Sequence, residues 1–263
     1  MTQKAYPQKC TEDDFVFFLH IPKTAGTSIA ASLSPLFPEE HILTHYQMNN
    51  VRKHPREVFL NARFLHGHFT WEVYGKRLPK QPDFILTFLR DPVEHFVSTF
   101  FHLKIDPTFT YTTRLCEDKA LAIEIHEFVK ERSIEEFLDY KHSRLFDNFQ
   151  TRYLVRGLSD SHSELGDGEL LPIAERLLLN LPFFGLTERM QESMNLLAST
   201  LHTRNRLKIG QANRSRNKPG SYSLDDSARR EIEKRTVSDR RLYALADGAL
   251  TDRVTACDDR TEQ

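Results

Sequence analysis

Phe15-Val-Phe-Phe-Leu-His-Ile-Pro-Lys-Thr-Ala-Gly-Thr-Ser-Ile-Ala-Ala-Ser-Leu33 is the stretch on which the fold turns. Its first five residues are an unbroken aromatic and β-branched run, the composition of a short strand buried on both faces of a parallel sheet. Pro22 marks its end. Small and polar residues follow from Lys23 to Ser28, and then Ile29, Leu33 and Leu36 recur at helical spacing until Pro38. Strand, tight loop and helix in that order make a βα unit. Phe84-Ile-Leu-Thr-Phe-Leu89 repeats the arrangement, with Arg90-Asp91-Pro92 at its turn and Val93, Phe96, Val97 and Phe100 behind it. Asp91 suits the N-cap there and Pro92 the first helical position. Pro182 to Thr187 reads as a third buried strand, leading into a helix begun near Glu188, and Arg63 to Phe69 as a weaker one, running into a loop at Thr70-Trp71. Apolar residues alternate with charges at helical spacing over Ala120 to Arg132, Ile134 to Tyr140, Ile173 to Leu181, Met190 to Leu201 and Ala228 to Arg235. Ser159 to Glu169 reads as a solvated surface loop. The fold class this predicts is α/β, a central, mostly parallel sheet flanked by helices.

At 263 residues the chain has the length of one substantial domain, expected to span 1–263 with flexible termini at 1–13 and 252–263. Its 36 basic and 37 acidic side chains give a net charge of -1, so no global field favours nucleic acid or an anionic membrane as partner. The one strong local asymmetry is His202 to Gly220, which carries Arg204, Arg206, Lys208, Arg214, Arg216 and Lys218 without an acidic residue. The polar N-terminus lacks the apolar core of a signal peptide, and no run approaches the roughly 20 apolar residues of a membrane span, so a cytoplasmic location is expected. Cys10, Cys116 and Cys257 are scattered and read as free thiols, too few for a disulfide framework or a zinc site.

A helix N-terminus offers unpaired N–H groups and partial positive charge, so the loop before Ile29 is a ready anion site. Gly26 allows close backbone approach, Thr27 and Ser28 add hydroxyls, and Lys23 adds a full charge. A P-loop of the NTPase kind needs GxxxxGK[ST], with lysine at the loop's end. Here the lysine comes first and Gly26 is the only glycine before Gly67, which excludes that loop and a Rossmann GxGxxG alike.

His20-Ile-Pro-Lys-Thr-Ala-Gly-Thr-Ser28 resembles the 5′-phosphosulfate loop of the carbohydrate-type sulfotransferases, particularly the group with heparan sulfate and uronyl 2-O-sulfotransferases. These take sulfate from 3′-phosphoadenosine 5′-phosphosulfate (PAPS) and release PAP, on a P-loop-like sulfotransferase fold. The resemblance implies that Lys23, Thr24, Ala25, Gly26, Thr27 and Ser28 hold the phosphosulfate, with Lys23 also neutralising the bridging oxygen. Leu89 to Ser98 is similar to the family's second motif, which implies that Arg90 and Ser98 hold the 3′-phosphate. An arginine at a strand end suits this, because a guanidinium can grip a phosphate with two hydrogen bonds.

Transfer to an alcohol needs a group to take the hydroxyl proton, and a neutral histidine is the simplest. The 2-O group carries an HGH sequence between its two motifs, so the resemblance implies that His68 is the base and His66 a supporting residue. His20, His95 and Glu94 are the fallback bases. Asp147 to Arg152 and Phe184 to Arg189 are also similar to stretches of this group. Gln150 and Arg152 then face the acceptor or brace the site, or Arg152 pairs with Asp147. Asn213, Arg214 and Ser215 resemble a late basic segment that closes on the nucleotide, although a solvated loop fits as well. Trp71 is a core residue by default and a stacking surface as the alternative.

The function these readings imply is PAPS-dependent transfer of a sulfuryl group to a hydroxyl-bearing acceptor, a saccharide or small molecule, without a metal. The rivals are a nucleotide kinase or NTPase with an unusual loop, and a noncatalytic module binding anionic glycans through the basic segment.

Overall fold

The computed structural model describes residues 11, 13–50, 53–73, 78–113, 115–159, 162, 164–201 and 223–258. Five strands, β1 (Val16–Leu19), β2 (Ile42–Leu43), β3 (Phe64–Gly67), β4 (Phe84–Leu89) and β5 (Phe183–Leu186), form one sheet in the order β2-β3-β1-β4-β5. Every pairing is parallel. The helices are α1 (Gly26–Leu33), α2 (His45–Asn49), α3 (Arg56–Leu60), α4 (Pro92–Leu103), α5 (Phe109–Thr112), α6 (Lys119–Val129), α7 (Ile134–Leu138), α8 (Phe149–Val155), α9 (Asp167–Asn180), α10 (Met190–Thr200), α11 (Asp226–Arg235) and α12 (Val237–Asp258).

The first strand is central because it is apolar on both faces: all four residues of β1 are buried, and Phe17, Phe18 and Leu19 have no exposed surface. Aromatic side chains fill the layers on either side. Phe18 meets Phe88 edge-on with ring centroids 6.3 Å apart, and Phe88 packs on Phe183 at 5.7 Å. Two side chains tie β1 to β4 and to the turn before it. The Thr87 hydroxyl donates to the Leu19 carbonyl at 2.8 Å, and the Asp83 carboxylate accepts the Phe15 N–H at 2.8 Å.

Two sequence readings need correction, and one strand went unread. Ser159 to Glu169 is not loop throughout, since α9 begins at Asp167 and the Glu169 carboxylate accepts the Gly166 N–H. Pro172 had hidden this start; inside the helix it forgoes only the bond to the Gly168 carbonyl. The expected flexible end at 252–263 is helical as far as Asp258. The two-residue strand β2 had no sequence signal of its own.

α8 and α12 cap each other. Asp239, near the start of α12, accepts from the Gln150 and Thr151 N–H groups and the Thr151 hydroxyl at 3.1, 2.7 and 2.7 Å. Asn148, in left-handed conformation just before α8, accepts the Ser238 and Asp239 N–H groups at 2.8 and 3.2 Å. Each helix start thus supplies the acceptor that the other start lacks.

Candidate active site

Parallel strands put all their C-terminal ends on one edge, and β1, β3 and β4 are neighbours, so the residues after Leu19, Gly67 and Leu89 converge. They are the loop from His20 to Ala25, His68 and Arg90.

Lys23 and Ala25 have φ of 70° and 61°, a left-handed backbone that side chains adopt at a cost of order 1 kcal/mol or more each. Three successive carbonyls pin this shape. Ile21 accepts from the Thr24 hydroxyl at 2.8 Å, Pro22 from His95 Nε2 at 2.8 Å, and Lys23 from an Arg90 guanidinium nitrogen at 3.2 Å. Because C=O and N–H point oppositely in a trans peptide, fixing the Pro22 carbonyl toward α4 turns the Lys23 N–H away from it. Thr24 is fully buried and holds the loop from within, so its hydroxyl is not available to a ligand. Thr27 is exposed and Ser28 half-buried at the first turn of α1. Lys23 makes no ion pair among the described residues; burial first, and then Arg90, lower the pKa of its ammonium, with Asp106 opposing.

Gly26 also meets a steric demand that its sequence context did not show. A Cβ there would fall 1.8 Å from His20 Nε2, so the glycine makes room for an imidazole lying over the start of α1.

Arg90 is held by its own backbone: its N–H donates to Gln150 Oε1 at 2.9 Å and its carbonyl accepts Gln150 Nε2 at 2.8 Å. Its guanidinium lies 3.7 Å from Glu94. Asp91 caps α4 by accepting the Glu94 N–H, and Ser98 is buried two turns on. Of the stretch from Asp147 to Arg152, therefore, Gln150 braces the site. Arg152 pairs with Asp167 at 2.6 Å rather than with Asp147, whose partner is Arg235 at 2.7 Å. Trp71 donates from its indole nitrogen to the Leu154 carbonyl at 2.6 Å and meets Phe17 edge-on, as a core residue does.

Histidines gather beside the loop. The His68 ring lies 4.6 Å from His20 and 5.5 Å from His45, centroid to centroid. Burial, then His45, His102 and Lys23, push the His68 imidazole down to about 4, with Asp106 pulling upward. His20 is held well below the ordinary value by burial and then by His68. His66, packed on Phe64 at 5.1 Å, is lowered by burial and by His45. At neutral pH all three are uncharged. His95, a fallback base, is buried, pushed down to about 3 by burial, and committed to the Pro22 carbonyl. Of the other two, Glu94 sits at Arg90 and His20 lies beside His68.

The sequence reading missed His45, His102 and Asp106. His45 follows Thr44 in a capping box with Gln47, which was legible, but its approach to His68 depends on β2, which was not. His102 lies one turn beyond Ser98 and 3.9 Å from Asp106, so its helical spacing was the available signal. Asn213, Arg214 and Ser215 lie outside the described residues. Among the described residues no three His, Cys, Asp or Glu side chains are grouped to hold a metal ion, and no helix is long and apolar enough to cross a membrane.

The sulfotransferase family model matches residues 9–247. Curated relatives include heparan-sulfate 6-O-sulfotransferase 3-B of Danio rerio, 27% identical over 89% of this chain and 63% of its own length. Heparan-sulfate 6-O-sulfotransferase 2 of Gallus gallus is 25% identical over 89% of this chain and 66% of its own length. Heparan-sulfate 6-O-sulfotransferase 1 of Homo sapiens is 26% identical over 89% and 65%. The chain thus spans just under two thirds of the length of these relatives. They are 6-O enzymes, whereas the HGH motif had pointed to the 2-O group within the same carbohydrate class. They also overturn the expected cytoplasmic location, because heparan-sulfate 6-O-sulfotransferases are enzymes of the Golgi lumen. By the match over residues 9–247, the chain belongs to the sulfotransferase family.

Proposed function

We propose that this protein transfers a sulfuryl group from PAPS to a hydroxyl of a saccharide acceptor, with His68 as base. The observation that carries the reading is the convergence of Lys23, Arg90 and an uncharged His68 on the C-terminal ends of three adjacent parallel strands.

The residues present fit an anionic co-substrate. Lys23 is a half-buried ammonium with Arg90 beside it and no ion-paired carboxylate among the described residues, an unfavourable arrangement until an anion arrives. The Lys23 N–H and the first turn of α1, with the hydroxyls of Thr27 and Ser28, suit the 5′-phosphosulfate, and Arg90 with Ser98 suits the 3′-phosphate. When bound, PAPS supplies an electrophilic sulfur and an anionic leaving group.

His68 accepts the acceptor hydroxyl's proton as the new oxygen–sulfur bond forms and the bond from sulfur to the bridging oxygen breaks. Lys23 stabilises the charge left on that oxygen. An anion next to Lys23 opposes the forces that lower the His68 pKa, so binding strengthens the base for its task. The polysaccharide named for the relatives supports a sugar hydroxyl as acceptor.

Calorimetry with PAP tests the nucleotide part: binding weakened about ten- to hundredfold in Arg90→Ala supports it. Preference for ATP would sink it in favour of a kinase-like activity.

A further inference from the structure

We propose that His45 is a positioning residue for the reaction, holding His68 in place by accepting its backbone N–H on Nε2. This rests on His68 being the base.

The register of the sheet explains why such a support is needed. β2 pairs with β3 at Ile42 with Phe64 and Leu43 with Leu65, and there the ladder stops, because β2 is two residues long. Without a further strand residue, the His68 N–H has no ladder carbonyl on that side. The chain instead turns at Thr44, which caps α2 while Gln47 Oε1 accepts the Thr44 N–H and hydroxyl at 3.0 and 2.7 Å. That capping box sets His45 as the first residue of α2 and aims its ring back at the end of β3. His45 Nε2 then lies 2.7 Å from the His68 nitrogen. An imidazole nitrogen has taken the place of a strand carbonyl.

Two further contacts fix the geometry. The His45 ring packs on Phe69 at 4.5 Å and meets the His68 ring edge-on at 5.5 Å. Gly67, with φ +145°, leaves the space the ring occupies: a Cβ there would fall 2.9 Å from His45 Nε2 and 2.7 Å from Phe69. His68 is therefore held at its backbone and at its ring from the same side.

The bond requires a particular tautomer. Nε2 accepts only when unprotonated, so the His45 proton resides on Nδ1. The titratable groups around it are His20 from the end of β1 and His66 and His68 from β3. Burial lowers the His45 pKa, which keeps the acceptor intact at neutral pH.

The experiment uses the full chain labelled with 15N-histidine, in wild type and in His45→Leu, His45→Gln and His68→Ala. The expected NMR result is an Nδ1-protonated His45 at neutral pH, with a His68 amide proton whose shift moves when His45 titrates and no longer does so in His45→Gln. A His45 protonated on Nε2, or a His68 amide indifferent to its titration, overturns the proposal whatever the activity. Sulfuryl transfer from PAPS to partially desulfated heparin, or release of PAP into water, should fall ten- to hundredfold in kcat for His45→Leu with KM for PAPS unchanged. His45→Gln, whose amide oxygen can accept the same N–H, should recover most of the loss. Equal damage in Leu and Gln variants, or loss of PAP binding together with kcat, overturns it as a merely structural effect. Full activity in His68→Ala would remove the base reading itself, an outcome separable from the NMR result on His45.

Discussion

His68 and Lys23 are both pushed by burial toward their uncharged forms, and the two shifts serve opposite requirements. A base must be neutral before the proton arrives, so the low pKa of His68 keeps it ready at every pH above about 4. For Lys23 the same burial stores unfavourable energy that an anion relieves. His68→Ala should lower kcat by about 10²–10⁴-fold while PAP affinity, read by calorimetry, stays near wild type. The pH profile gives a separate check. The active form is deprotonated, so kcat/KM for PAPS should stay flat as pH falls from 7 and decline only toward pH 4, as far as His68 governs it. The limb of kcat should lie at higher pH, since the bound anion favours imidazolium. An acidic limb of kcat/KM near 6.5 would mean a base other than this buried histidine.

At the scale of elements, the three pinned carbonyls and the crossed caps of α8 and α12 show how positions outside the site set its shape. Asp239→Ala leaves two buried N–H donors at the start of α8 without their acceptor, which should cost about 1–3 kcal/mol in denaturant unfolding. Because Gln150 is on that first turn and holds the Arg90 backbone, the same variant should also weaken PAP binding. What could be read in advance follows the same division. The strands at Phe15 and Phe84, and the cap at Asp91, are local patterns, so residue type and spacing were enough. Gln150 was found as a member of a recurring stretch, yet its partner lies 60 positions away and no spacing names it. His45 and the first turn of α9 were lost for local reasons, a strand of two residues and a helix carrying Pro172.

For the whole molecule, the buried histidines give stability a direction in pH. His20, His45, His66, His68, His95 and His102 all have folded pKa values below the ordinary value of roughly 6.5. The unfolded chain therefore binds more protons between pH 6.5 and the folded values, so stability is present above 6.5 and is lost as pH falls. Asp147 and Asp239 act in the opposite sense: burial raises both carboxyls, that of Asp239 to about 6, so their own contributions decline as pH rises from about 4. Six histidines outweigh two carboxyls, and the melting temperature should drop between pH 7 and pH 5. His95→Gln, which can still donate to the Pro22 carbonyl, should flatten part of that slope.

The imidazole of His20 over Gly26 has a genetic consequence. A methyl group at residue 26 need only displace the end of a side chain, so Gly26→Ala should fold, but it drives His20 against Phe18 and His68 and should therefore lose turnover. Removing the obstructing ring should restore what the methyl took away: His20→Ala acts as a second-site suppressor of Gly26→Ala, and the double variant outperforms the Gly26→Ala single. Positions 20 and 26 are then free to change together where one of them, alone, is not.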